Sequence, residues 1–222
     1  MGQRKVQTSE SIMVGGILAL IGGYMDAYSY ICRGGVFANA ETGNIVLLAL
    51  NLVSFQWLKA VRYMVPILAF GAGVTISEAV KWRRDALGGL HWRQITILIE
   101  MLILALVAFL PQSLNLAANS IISMTCGVQM SAFAKFHDIA MATTMCTGNL
   151  RSGTQCLHRF ASTGDRAFLR QGLLYYGCIA AFIAGAMIGG VAAARFQEKS
   201  ILAAAGGLLA VFLLMFARNR HE

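Results

Sequence analysis

Two stretches of this chain repeat one another, and the repetition limits the folds open to it. Residues 22–50 (GGYMDAYSYICRGGVFANAETGNIVLLAL) match residues 127–157 (GVQMSAFAKFHDIAMATTMCTGNLRSGTQCL) at an offset of 105, which carries Gly22 to Gly127, Met25 to Met130, Ala27 to Ala132 and Thr42-Gly43-Asn44 to Thr147-Gly148-Asn149. Further on, AFGAG at 69–73 meets AFIAG at 181–185 at an offset of 112, and the apolar run from Ile95 meets the one from Ser200. Four agreements in one register point to duplication. The chain reads as one membrane domain, residues 1–222, with repeat halves 12–110 and 115–217. Each half is a long segment, a TGN segment, and two more long segments.

The membrane assignment comes from composition. Of the 222 residues, 57% are hydrophobic and 13% charged, at a mean hydropathy of +0.64, whereas a soluble surface needs roughly 25% charge. The net charge of +8 therefore suits basic loops held against anionic headgroups and not nucleic acid. Cys32, Cys126, Cys146, Cys156 and Cys178 form no CxxC and stand at no ligand spacing with histidine, so they read as small buried hydrophobes. Arg4 and Lys5 precede an apolar run, as in a signal peptide, but the run continues to Ile31 and holds Asp26, which reads as a first spanning helix. Val6 stands where a myristoylation signal needs Ser or Thr.

A helix crossing about 30 Å of hydrocarbon takes roughly 20 residues, and six stretches approach that length: 12–31, 62–80, 95–110, 115–134, 172–194 and 200–217. The two TGN segments are different. Asn149, Arg151, Ser152, Thr154 and Gln155 are too polar for a lipid-facing span. If both segments cross, Lys and Arg other than Arg151 divide nine against eight, which is no bias. If each enters and leaves on one side, all 18 divide 13 inside to 5 outside, as cytoplasmic enrichment demands. The fold class expected is therefore an all-α polytopic membrane protein of six transmembrane helices plus two short re-entrant TGN segments, arranged as an inverted internal repeat with both termini cytoplasmic. Trp82 and Trp92 bracket a basic loop at the headgroup level, and Gly185 and Gly189 form a GxxxG, read first as an intramolecular contact and second as a homo-oligomer contact.

Residues 34–41 are small and aperiodic, and residues 45–55 are apolar and helical in type. This predicts an extended descent, then a helix from Gly43 to about Gln56 capped by the Thr42 hydroxyl. Its N-terminus would lie near mid-membrane, where irregular backbone needs protein or water around it, and Thr147 would meet it from the opposite side. Such paired interruptions mark transport sites, although a tight break for packing is the plainer alternative. Asp26, expected to face a cavity or the outer interface, has Ser131 as its counterpart at the 105 offset; Glu41 would line the cavity or a solvated loop. Glu78 and Glu100 read as interfacial anchors or partners of the basic loop, and His91, His137, His158 and His221 as loop residues. No metal, cofactor or catalytic motif is expected.

GGYMDAYSY with GGVFANAETGNIVLLAL, and GVQMSAFAK with ATTMCTGNL, resemble the two signatures of the YoaK family of bacterial integral membrane proteins over nearly the whole chain. The resemblance implies a multi-pass protein of the bacterial inner membrane and, through the Gln-containing helix of the second signature, adds Gln129 to the candidate site. It implies no substrate.

The function expected is movement of a small polar or anionic solute by a transporter or channel, the alternatives being a scaffold that transports nothing or an intramembrane enzyme using Asp26. An enzyme is not expected, and the partners expected are the lipid bilayer and the solute. The candidate solute-binding residues are Asp26, Glu41, Thr42, Gly43, Asn44, Gln129, Thr147, Gly148, Asn149 and Arg151. An anion between the two facing turns, with Arg151 adding charge, would neutralise the positive ends of both short helices.

Overall fold

The computed structural model describes residues 11–83, 92–136, 139–140 and 142–219. The elements are α1 (Ile12–Cys32), α2 (Glu41–Val53), α3 (Trp57–Arg83), α4 (Trp92–Val107), α5 (Asn115–Ala132), a minimal antiparallel pair β1 (Lys135–Phe136) and β2 (Ile139–Ala140), then α6 (Cys146–Thr163), α7 (Arg166–Phe196) and α8 (Ile201–Asn219). All six stretches read as long apolar segments are helical. The two TGN segments open α2, a short helix of 13 residues as expected, and α6, whose 18 residues equal α5 and exceed the 16 of α4, so the second TGN segment is not the short one expected.

The local chemistry sets these boundaries. Ser11 caps α1 by accepting from the Val14 amide, and Asp165 caps α7 by accepting from Ala167 at 2.8 Å. Gly164, left-handed at φ 70°, closes α6 immediately before that cap. Gln197, at φ 51°, interrupts the 51-residue apolar stretch Arg166–Phe216 and separates α7 from α8 through a 3-10 turn. Three stretches among the described residues are long and apolar enough to cross a membrane: Ile12–Cys32, Trp57–Trp82 and Arg166–Phe216. α4, with 16 residues, would be about 24 Å long at 1.5 Å per residue.

The core is built by exchange between the halves. α1 packs chiefly on α7 and α3 on α5, while α2 lies on α3, α6 on α7 and α4 on α8. At the two main crossings the backbones touch through glycine. A side chain at Gly185 or Gly189 would strike the backbone at Leu20 or Tyr24 of α1; one at Gly73 would strike Met124, and one at Gly127 would strike Phe70. The Gly185–Gly189 pair thus serves the intramolecular contact. Without a hydrophobic drive between helices in lipid, such close approach supplies the dispersion contact that holds them.

Contacts at the helix ends fix the direction of each long helix. α1 and α7 run the same way, since Leu20 faces Gly185 and Cys32 bonds the Ala193 carbonyl. Arg33, 1% exposed, closes one end of the bundle: Nη2 donates to Val107 O and Nη1 to Leu110 O, both at 2.9 Å, and Nη1 also reaches Asn115 Oδ1. Its guanidinium caps the C-terminus of α4, where the helix dipole is negative. Tyr24 and Tyr28 donate to the carbonyls of Ser200 and Glu198 at that same end. At the other end Lys81 of α3 donates to Ser131 of α5, and Arg93 donates to Ala132 O. In chain order α1, α3, α4, α5, α7 and α8 therefore alternate in direction.

Two expectations about placement change. Glu100 is not at an interface: α4 begins at Trp92, so the carboxyl lies inside the helix, 2% exposed, where Gln129 Nε2 donates to both of its oxygens at 2.9 and 3.1 Å. His158 lies on α6 and not in a loop; His91, His137 and His221 fall outside the described residues, as does most of the basic loop after Trp82. Glu78 does pair with the basic segment, through Lys81 at 2.5 Å.

The glycine crossings make a sharp comparison within α7. Gly185→Ala is expected to lower the melting temperature of purified protein in detergent, at an overpacking cost of roughly 1–3 kcal/mol. Gly177→Ala, where nothing lies within 4 Å of the added carbon, is expected to leave it unchanged or raised, as fluorescence-monitored unfolding of both variants would read.

Candidate solute-binding site

The site grows from the way each TGN segment ties itself off. In the first, Asn44 is fully buried; its Oδ1 accepts from the Phe37 amide at 3.0 Å, and its Nδ2 donates to Phe37 O and to Glu41 Oε2, both at 2.9 Å. In the second, Asn149 Nδ2 donates to Ala142 O at 2.6 Å and contacts Cys178 Sγ at 3.5 Å. Phe37 and Ala142 stand 105 apart, as do the asparagines. Each Asn side chain thus acts as a substitute backbone partner for the irregular stretch seven residues earlier. The asparagines hold the turns and spend their bonding groups doing so.

Neither threonine caps a helix. α2 starts at Glu41 with Ala40 in the cap position and α6 at Cys146 with Met145 there, and neither cap carries a side-chain bond. Thr42 and Thr147 therefore lie in the first turn and are exposed. Asp26 instead holds the stretch that leads into α2. Its Oδ1 accepts from the Asn39 amide at 2.7 Å, with the amides of Ala38 and Ala40 also directed at the carboxylate. A carboxylate at this position complements the positive end of α2.

In the other half the matching contact is a weak hydrogen bond from a hydroxyl to an uncharged thioether. Thr144, equivalent to Asn39 at the offset of 105, reaches Met130 Sδ at 3.6 Å. Gly127 meets the backbone of Phe70 as Gly23 meets that of Phe182, an offset of 104 along α1 and α5. The halves are therefore one residue out of step before the turns, and the counterpart of Asp26 is Met130, not Ser131. Among the described residues a carboxylate is hydrogen-bonded just before the start of α2, whereas none is hydrogen-bonded at the start of α6.

Both starts open onto one cleft of about 540 Å³. Asp26, Ala27, Tyr30 and Ile31 of α1 form one wall, with Phe37, Ala40 and Thr42 from the first turn region. Thr144, Met145, Cys146, Thr147 and Gly148 come from the second, and Phe182 and Ala186 of α7 form the floor. Tyr30 and Phe37 stack at 4.8 Å. Gly22 lets the two turn regions pack at α1: Asn39 Nδ2 donates to its carbonyl, and a side chain there would strike Thr144.

Of the ten sequence candidates, four line this cleft: Asp26, Thr42, Thr147 and Gly148. Gly43 lies against the Phe37 ring and makes room for it. Glu41, half-buried, bonds Asn44 and lies near Ser123 of α5, outside bonding geometry. Gln129 points to Glu100 instead of the cleft. Arg151 is exposed on α6 and does not line it. It shares that exposed face with Thr154, Gln155, His158 and Arg159, whereas the exposed face of α2 carries Ile45, Val46, Leu50 and Val53. Sequence reasoning missed Tyr30, Phe37, Phe182 and Ala186, which are ordinary apolar residues in sequence, and Arg33, whose burial nothing in its surroundings foretells.

Comparison with known proteins assigns the lineage. The family model described as "Protein of unknown function (DUF1275)" matches residues 14–214. The chain belongs to this family. It is also similar to the UPF0700 transmembrane protein YoaK of Bacillus subtilis (strain 168), at 25% identity over 191 residues covering 82% of this chain and 84% of the relative. No solved structure matches it. With its long apolar helices, this DUF1275 chain is a membrane protein.

The roles of the two residue types in the turn are separable. Asn44→Ala removes three hydrogen bonds and is expected to cost about 3 kcal/mol at roughly 1 kcal/mol each, more than Asn149→Ala. Thr42→Val is expected to leave stability unchanged, because no hydrogen bond of that hydroxyl supports the helix. Melting temperatures of the three variants check the order, and a Thr42→Val loss as large as that of Asn44→Ala would restore the threonine as the cap.

Proposed function

We propose that the protein moves a small polar or anionic solute across the bacterial inner membrane by alternating access or as a channel, and that it is not an enzyme. The observation that carries this reading is the shared cleft. The TGN helices α2 and α6, from opposite halves of the repeated chain, begin at it, beside a buried carboxylate on a long helix. Interrupted segments in matching halves are where transporters place their sites.

Six crossings of alternating direction are part of the proposal, with α2 and α6 re-entering and both termini in the cytoplasm. The alternating directions of the long helices support it, as does the 13 to 5 division of basic residues. Each helix also runs opposite to its equivalent in the other half: α1 to α5, α3 to α7 and α4 to α8. That relation, with the exchanged contacts of the halves, supports an inverted repeat. In this arrangement α6 enters from the cytoplasmic side, and its exposed polar face offers water a path to the cleft, while α2 presents apolar side chains to lipid.

Flux decides the function. Proteoliposomes holding the full chain are expected to take up at least one labelled solute from a panel of amino acids, organic acids, sugars and phosphate faster than empty vesicles. Ala186→Trp, which fills the cleft floor, is expected to reduce that uptake at least tenfold. Uptake by none of the panel would favour the scaffold reading. The topology has its own measurement. In a cysteine-free background, single cysteines at positions 59 and 196 are expected to react with an impermeant thiol reagent in intact cells, and one at 163 only after the membrane is opened. Reaction at 163 in intact cells would overturn the re-entrant path of α6.

A further inference from the structure

The two TGN helices do not present equivalent ends to the cleft. Asp26 already serves the start of α2, through the Asn39 amide and those beside it. At the start of α6 the equivalent position is Met130, and the cap residue Met145 contributes no side-chain bond. The first-turn amides of Cys146, Thr147 and Gly148 therefore carry the partial positive charge of an 18-residue helix, and among the described residues no carboxylate is hydrogen-bonded to them, although the field of Asp26 reaches Cys146 across the cleft. A second observation points to the ligand from the opposite wall. Asp26 is 5% exposed, lines the cleft, and has its Oδ2 buried without a hydrogen-bond partner. No ion pair to it occurs among the described residues, and the Glu41 carboxyl lies close enough to add to its negative field.

One cleft thus shows, among the described residues, a carboxylate oxygen lacking a donor on one side and, on the other, the amides of Thr147 and Gly148 at the start of α6 with no acceptor recorded. A simple anion satisfies only the amides and is repelled by Asp26; a simple cation satisfies only Asp26 and faces the positive end of α6. We propose that the cleft binds a zwitterion of the α-amino acid type, its ammonium group at Asp26 Oδ2 and its carboxylate at the first-turn amides of α6. The walls between these poles are apolar: Tyr30, Ile31, Phe37 and Phe182 receive an uncharged, apolar side chain. The volume of about 540 Å³ lies within the range of small-molecule sites. This inference deepens the solute-carrier reading and rests on it for its physiological meaning, but binding is measured without flux.

The test uses the full purified chain in detergent and four probes titrated by calorimetry: leucine, N-acetyl-leucine, leucine methyl ester and acetate. Leucine is expected to bind saturably, with the acetylated and esterified forms each at least tenfold weaker, because each loses one pole. Asp26→Asn is expected to weaken leucine at least tenfold while leaving N-acetyl-leucine unchanged or tighter. Cys146→Pro removes one amide at the first helical position, where proline fits, and is expected to weaken leucine and N-acetyl-leucine but not the ester. The probe series on the unsubstituted chain decides the matter even where a variant fails to fold. N-acetyl-leucine or acetate binding as tightly as leucine would overturn the zwitterion in favour of a simple anion site. No saturable leucine binding up to about 10 mM, well above the usual range of substrate constants, would overturn it outright. Binding with the expected pattern but without flux of leucine in proteoliposomes would keep the site and sink the transport reading.

Discussion

The close approach of helix backbones through glycine is the contact on which everything else in this molecule depends. In lipid, burying leucine against leucine gains little, because the tails are equally apolar. α1 and α7 instead touch backbone to backbone at Gly23, Gly185 and Gly189, and α3 and α5 do so at Gly73 and Gly127. These crossings join helices of different halves, so neither half packs without the other. They also decide where Asp26 lies, since the glycines at 22 and 23 bring both the second turn region and α7 against α1 one turn before it.

Around that frame the problem is unpaired backbone. The chain leaves α1 through two left-handed glycines, Gly34 and Gly35, and runs without regular structure to α2. Each buried amide or carbonyl left unsatisfied costs several kcal/mol. Asn44 and Asn149 meet part of that demand, Asp26 and Asn39 meet more of it, and Arg33 does the same for the exposed carbonyls at the end of α4.

Duplication supplied a symmetric frame and divergence made it directional. Asp26 answers to Met130, and the apolar outer face of α2 answers to the polar outer face of α6. Glu100 and Gln129 form a further buried polar pair between α4 and α5. A strictly symmetric site would look alike from both sides of a membrane. These differences leave the two turn regions and the outer faces of α2 and α6 chemically unlike.

The sequence by itself determined the membrane setting, the six long helices, the two interrupted segments and the pairing of the TGN motifs. Those follow from hydropathy, length and a repeated register, which are properties of the chain read in order. It could also single out Asp26, because a carboxylate amid apolar residues is conspicuous wherever it points. Only the tertiary structure decided what each polar group faces. It moved the helix starts ahead of Thr42 and Thr147, made Asn44 and Asn149 ties, sent Gln129 to Glu100 and left Arg151 outside the cleft. It also shifted the match of α1 with α5 by one residue, since a helix turns about 100° per residue and a single-residue slip redirects every side chain on it. Motif spacing cannot register that slip, but backbone contact between helices can.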